Sequence, residues 1–168
     1  VCSSDLGAAT QYGANVVVSR KWADAHKLTP SSTYKERLAA LKGISVAVSG
    51  PGGGNEQIVR YLAAEAGLDA DRDMTLVSLG ATPNMVAAYS QGRVDALSAA
   101  PPNDRLALHE FGGMMYFNLG AGEVPTLVGY LGSGVAARAD WLAKNPAVAT
   151  GFVKALQMGY DGMHDAGR

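Results

Sequence analysis

The residues whose types and spacing could do chemistry lie in one short loop, residues 49–55, which reads Ser-Gly-Pro-Gly-Gly-Gly-Asn. Glycine has no side chain and tolerates positive φ, so a ligand can come close to the backbone of such a loop. A helix that begins directly after the loop contributes unpaired N–H groups and the positive end of its dipole. The loop therefore indicates a binding site for an oxyanion.

The loop departs from the common nucleotide-binding motifs. The dinucleotide motif G-x-G-x-x-G requires glycine at the position of Asn55, and no G-K-[ST] follows to form a phosphate-binding loop of the Walker type. A glycine-rich turn that serves only tight packing is the alternative interpretation. Function must therefore be inferred from more than this loop.

The residues on either side of the loop predict the elements that hold it. Before it, Ile44, Val46 and Val48 alternate with small residues at the period of a strand. After it, apolar residues recur at the helical period as far as Gly67, which is placed to end the helix. A strand, a glycine loop and an amphipathic helix are therefore expected in this order.

The same order of strand and helix repeats along the chain. Strands are predicted at 14–18, 44–48, 74–79, 94–99 and 114–119, and helices at 20–27, 33–43, from the glycine loop to 67, at 82–92, at 103–111 and after Asn145-Pro146. We expect Thr82 to be the N-cap of its helix and Pro83 to occupy the first helical position. The pattern predicts an α/β fold with a mainly parallel sheet flanked by helices.

Composition excludes several classes of function. A net charge of -1 and a pI near 6.3 leave no basic surface for phosphates, so no nucleic-acid partner is expected. No apolar run is long enough to span a bilayer. The single cysteine, Cys2, excludes an intrachain disulfide, and the histidines lie far apart, so neither a metal site nor a cofactor is predicted. No nucleophile and base stand at a recognisable spacing, so no catalytic residue is predicted and the protein is not expected to be an enzyme.

The two ends of the sequence predict a fragment. Val1 is not an initiator methionine, and the residues that follow it match the translation of a common sequencing adapter. We therefore expect residues 1–6 to be an artefact. The chain stops at Arg168, at the end of a strongly patterned helix, which is expected of a piece of a longer protein.

Four stretches, taken in order, resemble the substrate-binding proteins of the nitrate/sulfonate/taurine type, which serve ABC importers. They are Leu41-Lys42-Gly43 with Val46-Ala47-Val48 and the glycine loop; Ala66-Gly67-Leu68 with Asp73-Met74-Thr75-Leu76-Val77; Val86-Ala87-Ala88 through Gln91-Gly92-Arg93-Val94-Asp95-Ala96-Leu97; and Lys144-Asn145-Pro146 through Phe152-Val153-Lys154-Ala155. Each stretch is ordinary alone, but their order and spacing cover nearly everything from residue 14 onward. The chain is similar to this family over most of its length.

The resemblance implies a fold like that of the periplasmic binding proteins of type 2, with two lobes that close on a ligand by hinge motion. One complete lobe and part of a second would be present. Residues 7–19 would cross from the first lobe, 20–126 would form the central α/β lobe, and 127–168 would return to the incomplete first lobe and supply its C-terminal helix. The ligand would lie between the lobes.

The resemblance also implies which residues bind the ligand, because open α/β sheets bind ligands at the carboxyl ends of their strands. The predicted ligand-binding residues are Ser49, Gly52, Gly53, Gly54, Asn55, Thr82, Pro101 and Tyr130. The glycine loop would hold an acidic head group through main-chain N–H groups and the Ser49 hydroxyl. Thr82 would offer its hydroxyl either to the ligand or to its own helix. Replacing Gly53 with valine is expected to weaken binding while leaving the fold largely intact.

The implied function is that of an extracytoplasmic solute receptor. It would bind a small anionic solute such as a sulfonate, nitrate or a carboxylate, and deliver it as a monomer to the membrane permease of an ABC transporter. It would lie in the periplasm or be lipid-anchored on the outer side of the cytoplasmic membrane. Two alternatives stay open: an enzyme of the same fold, of the thiamine-pyrimidine synthesis type, and the ligand-sensing domain of a regulator.

Overall fold

The computed structural model describes residues 3–11, 14–129 and 131–165. The described residues fall into two compact units, a larger one within Tyr12–Gly132 and a smaller one within Val1–Gln11 and Ser133–Arg168. The predicted division into residues 1–6, 7–19, 20–126 and 127–168, with its assignment to lobes of a larger protein, stays a prediction.

The larger unit alternates strands with helices. Its strands are β2 (Asn15–Val18), β3 (Ser45–Val48), β4 (Thr75–Ser78), β5 (Ala96–Ala99) and β6 (Met114–Phe117). Its helices are α1 (Arg20–Ala25), α2 (Tyr34–Ala39), α3 (Gly54–Glu65), α4 (Ala70–Asp73), α5 (Thr82–Ser90) and α6 (Asn103–His109). Short 3₁₀ turns follow at Leu119–Ala121 and Pro125–Leu127. Each predicted strand is present and shorter at its ends, because apolar residues continue beyond the last paired residue.

These strands form one five-stranded sheet in the order β4-β3-β5-β2-β6. Strand β3 is parallel to β4 and β5, whereas β2 is antiparallel to β5 and β6. Because β2 opposes both neighbours, β5 and β6 run in the same direction as β3 and β4. The predicted α/β fold with a mainly parallel sheet flanked by helices is confirmed, with β2 inverted within it.

Alternate residues of each strand serve two apolar layers, one on each face of the sheet. Val16 and Val18 belong to the layer that α1, α2 and α3 cover, whereas Val17 belongs to the layer beneath α5 and α6. All three valines are buried to within 2% of complete burial. Burial on both faces explains why β2 reads as a continuous apolar run.

The helix ends follow local sequence signals, with two exceptions. Thr33 and Glu36 form the expected capping box at α2, but α2 ends at Ala39 rather than at Gly43. At α5 the N-cap is Ala81, not Thr82, so the predicted capping role of Thr82 is wrong. Thr82 lies one position inside the helix, where its φ and ψ are helical and its hydroxyl cannot take the N-cap geometry.

The smaller unit combines two strands and two helices. Strand β1 (Ser3–Gln11) pairs with β7 (Leu131–Arg138), and the chain continues into α7 (Ala139–Lys144) and α8 (Pro146–Asp165). Strand β7 thus lies within the segment 127–168 that was expected to return to the first lobe. No helix in the described part of the chain combines the length and apolar character needed to cross a membrane.

Candidate functional site

Three loops of the larger unit leave the sheet at one edge. They follow β3, β4 and β5, which are parallel neighbours, so their carboxyl ends lie side by side. A hydrogen bond from the Gly80 N–H to the Ser49 carbonyl, at 2.9 Å, joins the first two of these loops. We call this the carboxyl edge.

The glycine loop at the carboxyl edge adopts the backbone geometry that its sequence predicts. Gly52 has a φ of +79°, a conformation that favours glycine, and Gly53 is the N-cap of α3. A Cβ atom on Gly53 would lie far inside van der Waals contact with the Ser49 Oγ and 3.1 Å from the Gly50 carbonyl oxygen. Valine at Gly53 would therefore have to displace the Ser49 hydroxyl and would crowd the Gly50 carbonyl, so we expect it to cost stability. That the fold stays largely intact in this variant remains a prediction.

Asn55 ties the glycine loop to β5. Its Oδ1 accepts a hydrogen bond from the Ser49 Oγ at 2.7 Å, and its Nδ2 donates to the Ser98 carbonyl at 2.9 Å. The Ser98 Oγ in turn donates to the Asn55 carbonyl at 3.0 Å. The side chains of Ser49 and Asn55 thus position the loop and have their main hydrogen-bonding capacity occupied.

The Glu56 carboxylate accepts a hydrogen bond from another backbone donor of the loop, the Gly52 N–H. Its Oε2 accepts from the Gly52 N–H at 2.9 Å, and its other carboxylate oxygen is paired with Arg60 one turn along α3. The Glu56 residue is only 3% exposed. The Gly52 N–H is consequently turned inward, and Gly52 contributes shape to the loop rather than a donor to a ligand.

The donors that remain at the start of α3 include the backbone N–H groups of Gly54 and Asn55. In the described chain neither has an acceptor, as expected for the first turn of a helix. A Cβ atom on Gly54 would have no atom within 4 Å. The start of α3 therefore combines free N–H groups with space beside Gly54, at the positive end of a 12-residue helix.

The other predicted ligand-binding residues are placed as follows. Thr82 is half-buried at the start of α5, and no residue of the described chain accepts or donates at its hydroxyl. Pro101 is exposed in the loop after β5 and is joined to Pro102 by a cis peptide bond. Tyr130 lies outside the described residues. The structure thus brings the glycine loop and the start of α5 to one edge, through the loop contact at Gly80.

A buried polar pair at the same edge was missed from the sequence. The Asn15 Nδ2 donates to the Asp104 Oδ2 at 2.7 Å, and the Asn15 Oδ1 accepts from the Leu119 N–H at 2.9 Å. Asn15 pairs with Ala99, the last residue of β5, and Asp104 is fully buried. The polar Asn15 in an otherwise apolar strand could have indicated a buried polar contact. Its partner Asp104 could not be identified, because it lies far away in the sequence.

The described residues contain no group of three histidine, cysteine, aspartate or glutamate side chains that could hold a metal ion. At the carboxyl edge, the backbone donors of α3 and the Thr82 hydroxyl can form hydrogen bonds.

Comparisons with known proteins agree with the fold. The model of the NMT1-like family matches residues 6–161. The nitrate/nitrite binding protein NrtA of Synechococcus elongatus is 32% identical over 123 residues, which are 73% of this chain and 26% of that protein.

Two solved structures are similar to the chain as folds. The periplasmic aliphatic sulphonate binding protein SsuA from Escherichia coli has a TM-score of 0.62 at 22% identity, covering 96% of this chain and 46% of that one. The periplasmic nitrate-binding protein NrtA from Synechocystis PCC 6803 has a TM-score of 0.67 at 19% identity, covering 93% of this chain and 40% of that one.

The chain thus spans about a quarter of the curated relative's length and less than half of either solved chain. The resemblance to nitrate- and sulfonate-binding proteins that the sequence motifs indicated is confirmed. Because the family model covers most of the sequence, from residue 6 to residue 161, the chain belongs to the NMT1-like family.

Proposed function

We propose that the chain is the ligand-binding part of an extracytoplasmic solute receptor, which binds a small anionic solute and delivers it to an ABC importer. The observation that carries this proposal is the pair of free N–H groups of Gly54 and Asn55 at the start of α3. A helix N-terminus with free donors favours an anionic group. The carboxyl edge of a parallel sheet is also where open α/β folds bind their ligands.

The relatives support the proposal in kind. One is named as a nitrate/nitrite binding protein and another as a periplasmic aliphatic sulphonate binding protein. Both names describe binding of a small oxyanion, and neither describes an enzyme. By this likeness we propose a monomer outside the cytoplasmic membrane, in the periplasm or lipid-anchored, with the permease of an ABC transporter as its partner.

Within the proposed site the residues have different roles. The N–H groups of Gly54 and Asn55 would hold the anionic group, and the Thr82 hydroxyl would donate beside them. Ser49, Gly52 and Gly53 would shape the loop, since their polar groups are engaged or absent. Pro101 would bound the site at the end of β5, and Tyr130 stays a prediction.

Thermal unfolding of the protein against a panel of nitrate, alkanesulfonates, carboxylates and thiamine-pyrimidine precursors tests the proposal. A ligand that binds only the native state at about a hundred times its dissociation constant adds roughly 2.7 kcal/mol of stability. That added stability raises the midpoint temperature of thermal unfolding by several degrees. We expect a selective rise with one class of anion.

The variants Gly54→Gln and Gly54→Glu provide the site control. The two introduced side chains have the same shape, and a Cβ atom at position 54 meets no atom within 4 Å. Both variants should weaken binding by occupying the approach to the loop, and Gly54→Glu should weaken it further if the ligand is an anion. Equal ligand affinity in both variants and the parent chain would remove the loop from the site. A shift produced only by a pyrimidine precursor would favour the enzyme alternative.

A further inference from the structure

A cavity lies at the edge of the same sheet that is opposite to the carboxyl edge. Its volume is about 480 Å³, and it is enclosed by the start of α1, the end of α5 and the turn that follows α6. Val18 at the end of β2 pairs with Ala96 at the start of β5, so both mark this edge. The glycine loop follows β3, which is parallel to β5, so the loop and the cavity lie at opposite ends of the strands. We call this the amino edge.

The walls of the amino-edge cavity are polar and apolar in nearly equal parts. Trp22 and Val94 are 7% and 4% exposed, and they form its inner surface. Phe111 lies at the rim and is 43% exposed, although it is a large aromatic residue. Trp22 is held in place by stacking on His26, with ring centroids 4.1 Å apart. The cavity thus offers a fixed aromatic wall and an exposed aromatic rim to an apolar group.

The charged residues that line the cavity carry a positive excess. They are Arg20, Lys21 and Asp95. The Asp95 carboxylate is already engaged, because its Oδ2 accepts from the Ser45 N–H at 2.9 Å and from the Ser45 Oγ at 2.6 Å. Across the described part of the chain, neither Arg20 nor Lys21 forms an ion pair. Two cations without carboxylate partners therefore stand beside an apolar wall.

We propose that the amino-edge cavity binds a small organic anion, whose apolar body lies between Trp22 and Phe111 and whose carboxylate or sulfonate pairs with Arg20 and Lys21. The volume lies within the range of about 300–1,000 Å³ that is usual for small-molecule sites. A purely inorganic anion would leave the aromatic surface uncovered. A neutral apolar molecule would leave both cations unpaired. This site is separate from the proposed solute site and does not depend on it.

Nuclear magnetic resonance titration of the full chain with 4-phenylbutyrate tests the proposal. Saturable shifts are expected at the Trp22 indole N–H and at the backbone amides of Lys21 and Gly92, which line the cavity. The neutral analogue 4-phenylbutanamide has the same shape without the charge, and it should bind at least tenfold more weakly. The double variant Arg20→Gln/Lys21→Gln should likewise bind 4-phenylbutyrate at least tenfold more weakly than the parent chain does.

The double variant Lys35→Gln/Lys42→Gln is the matched control, because it removes the same charge from exposed positions outside the cavity. Its affinity for 4-phenylbutyrate should equal that of the parent chain. Any of three results overturns the proposal: no saturation at the cavity amides, equal binding of the amide, or unchanged affinity in the Arg20/Lys21 variant. Shifts confined to Gly54 and Asn55 also overturn it, since they report only the carboxyl edge.

Discussion

The two edges of the sheet use polar groups in opposite ways. At the carboxyl edge, the side chains of Ser49, Asn55 and Glu56 form hydrogen bonds with one another and with the backbone. The donors that stay unpaired there are backbone N–H groups. At the amino edge, Arg20 and Lys21 line a cavity with their charges free of ion pairs in the described chain. The first edge is held by its own hydrogen bonds and offers backbone donors, whereas the second offers exposed charge beside an aromatic wall.

The largest expected effect comes from breaking the Asn55 bridge. Asn55→Ala leaves the Ser49 hydroxyl and the Ser98 carbonyl without their partner, so the free energy of unfolding should fall by about 2–3 kcal/mol. Denaturant unfolding measures the loss. Asn84→Ala is the control, since Asn84 is exposed and its side chain donates to the Leu79 carbonyl at 3.1 Å. A loss no larger than that of the control would show that the bridge does not organise the edge.

A second prediction concerns the close approach of Gly53 to Ser49. Gly53→Ala should cost about 1–2 kcal/mol through overpacking, whereas Gly54→Ala should change stability by less than about 0.5 kcal/mol because its Cβ meets open space. In a Ser49→Ala background the cost of Gly53→Ala should shrink, because the offending Oγ is gone. A double-mutant cycle by thermal unfolding measures this coupling, and additive losses would contradict the contact.

A third prediction compares two buried tyrosines. In the described part of the chain the Tyr89 hydroxyl, beside the amino edge, is buried without a hydrogen-bond partner, whereas the Tyr116 hydroxyl donates to the Arg37 carbonyl. Tyr89→Phe should therefore be neutral or stabilising by up to about 1 kcal/mol, and Tyr116→Phe should cost about 1–2 kcal/mol. Denaturant midpoints at pH 7 measure both. Equal losses would show that the Tyr89 hydroxyl has a partner.

The same residue predicts a pH dependence. Burial raises the pKa of Tyr89 to about 12, against the opposing effect of the Arg20 charge. The folded pKa lies above the ordinary value of 10.0, so the unfolded state releases its proton first and stability is lost as the pH rises from 10 towards 12. Tyr89→Phe should flatten this part of the stability profile. A profile as steep as that of the parent chain would assign the loss to other groups.

The smallest effect is expected at the amino-edge cations. Because Arg20 and Lys21 are exposed and make no ion pair in the described chain, Arg20→Gln/Lys21→Gln should change stability by less than about 0.5 kcal/mol. Thermal unfolding without ligand measures it. A loss comparable to that of Asn55→Ala would mean that the two edges do not differ in the way described.

The fold could be predicted from the sequence because the spacing of apolar residues indicates directly which positions are buried. The apolar runs around Val17, Val46 and Leu97 mark strands whichever way they pair, and Gly67 marks the end of α3. The inversion of β2 was not predicted, because strand direction within a sheet leaves no periodic trace. It follows from pairing partners that are distant in the sequence.

The candidate site was predicted in its backbone and not in its side chains. Glycine at 52 and 53 predicted a loop that opens a helix, and the structure has that geometry. The hydrogen bond from the Asn55 amide to the Ser98 carbonyl depends on how β3 and β5 align. The residues near Asn55 in the sequence do not encode that alignment. The turn at Thr82 shows the same limit, because Ala81 and Thr82 compete for one N-cap position and backbone geometry decides between them.

The inverted strand β2 also has a consequence for biosynthesis. Val17 lies early in the chain, yet its neighbours across the sheet are Leu97 and Met115. At a translation rate of about 5–20 residues per second, a nascent β2 waits roughly 5–20 seconds for both partners to be made. During that interval the backbone N–H and C=O groups of three consecutive valines, Val16–Val18, have no strand partner on either side. The order of synthesis therefore leaves this apolar segment without its strand partners until β6 has been made.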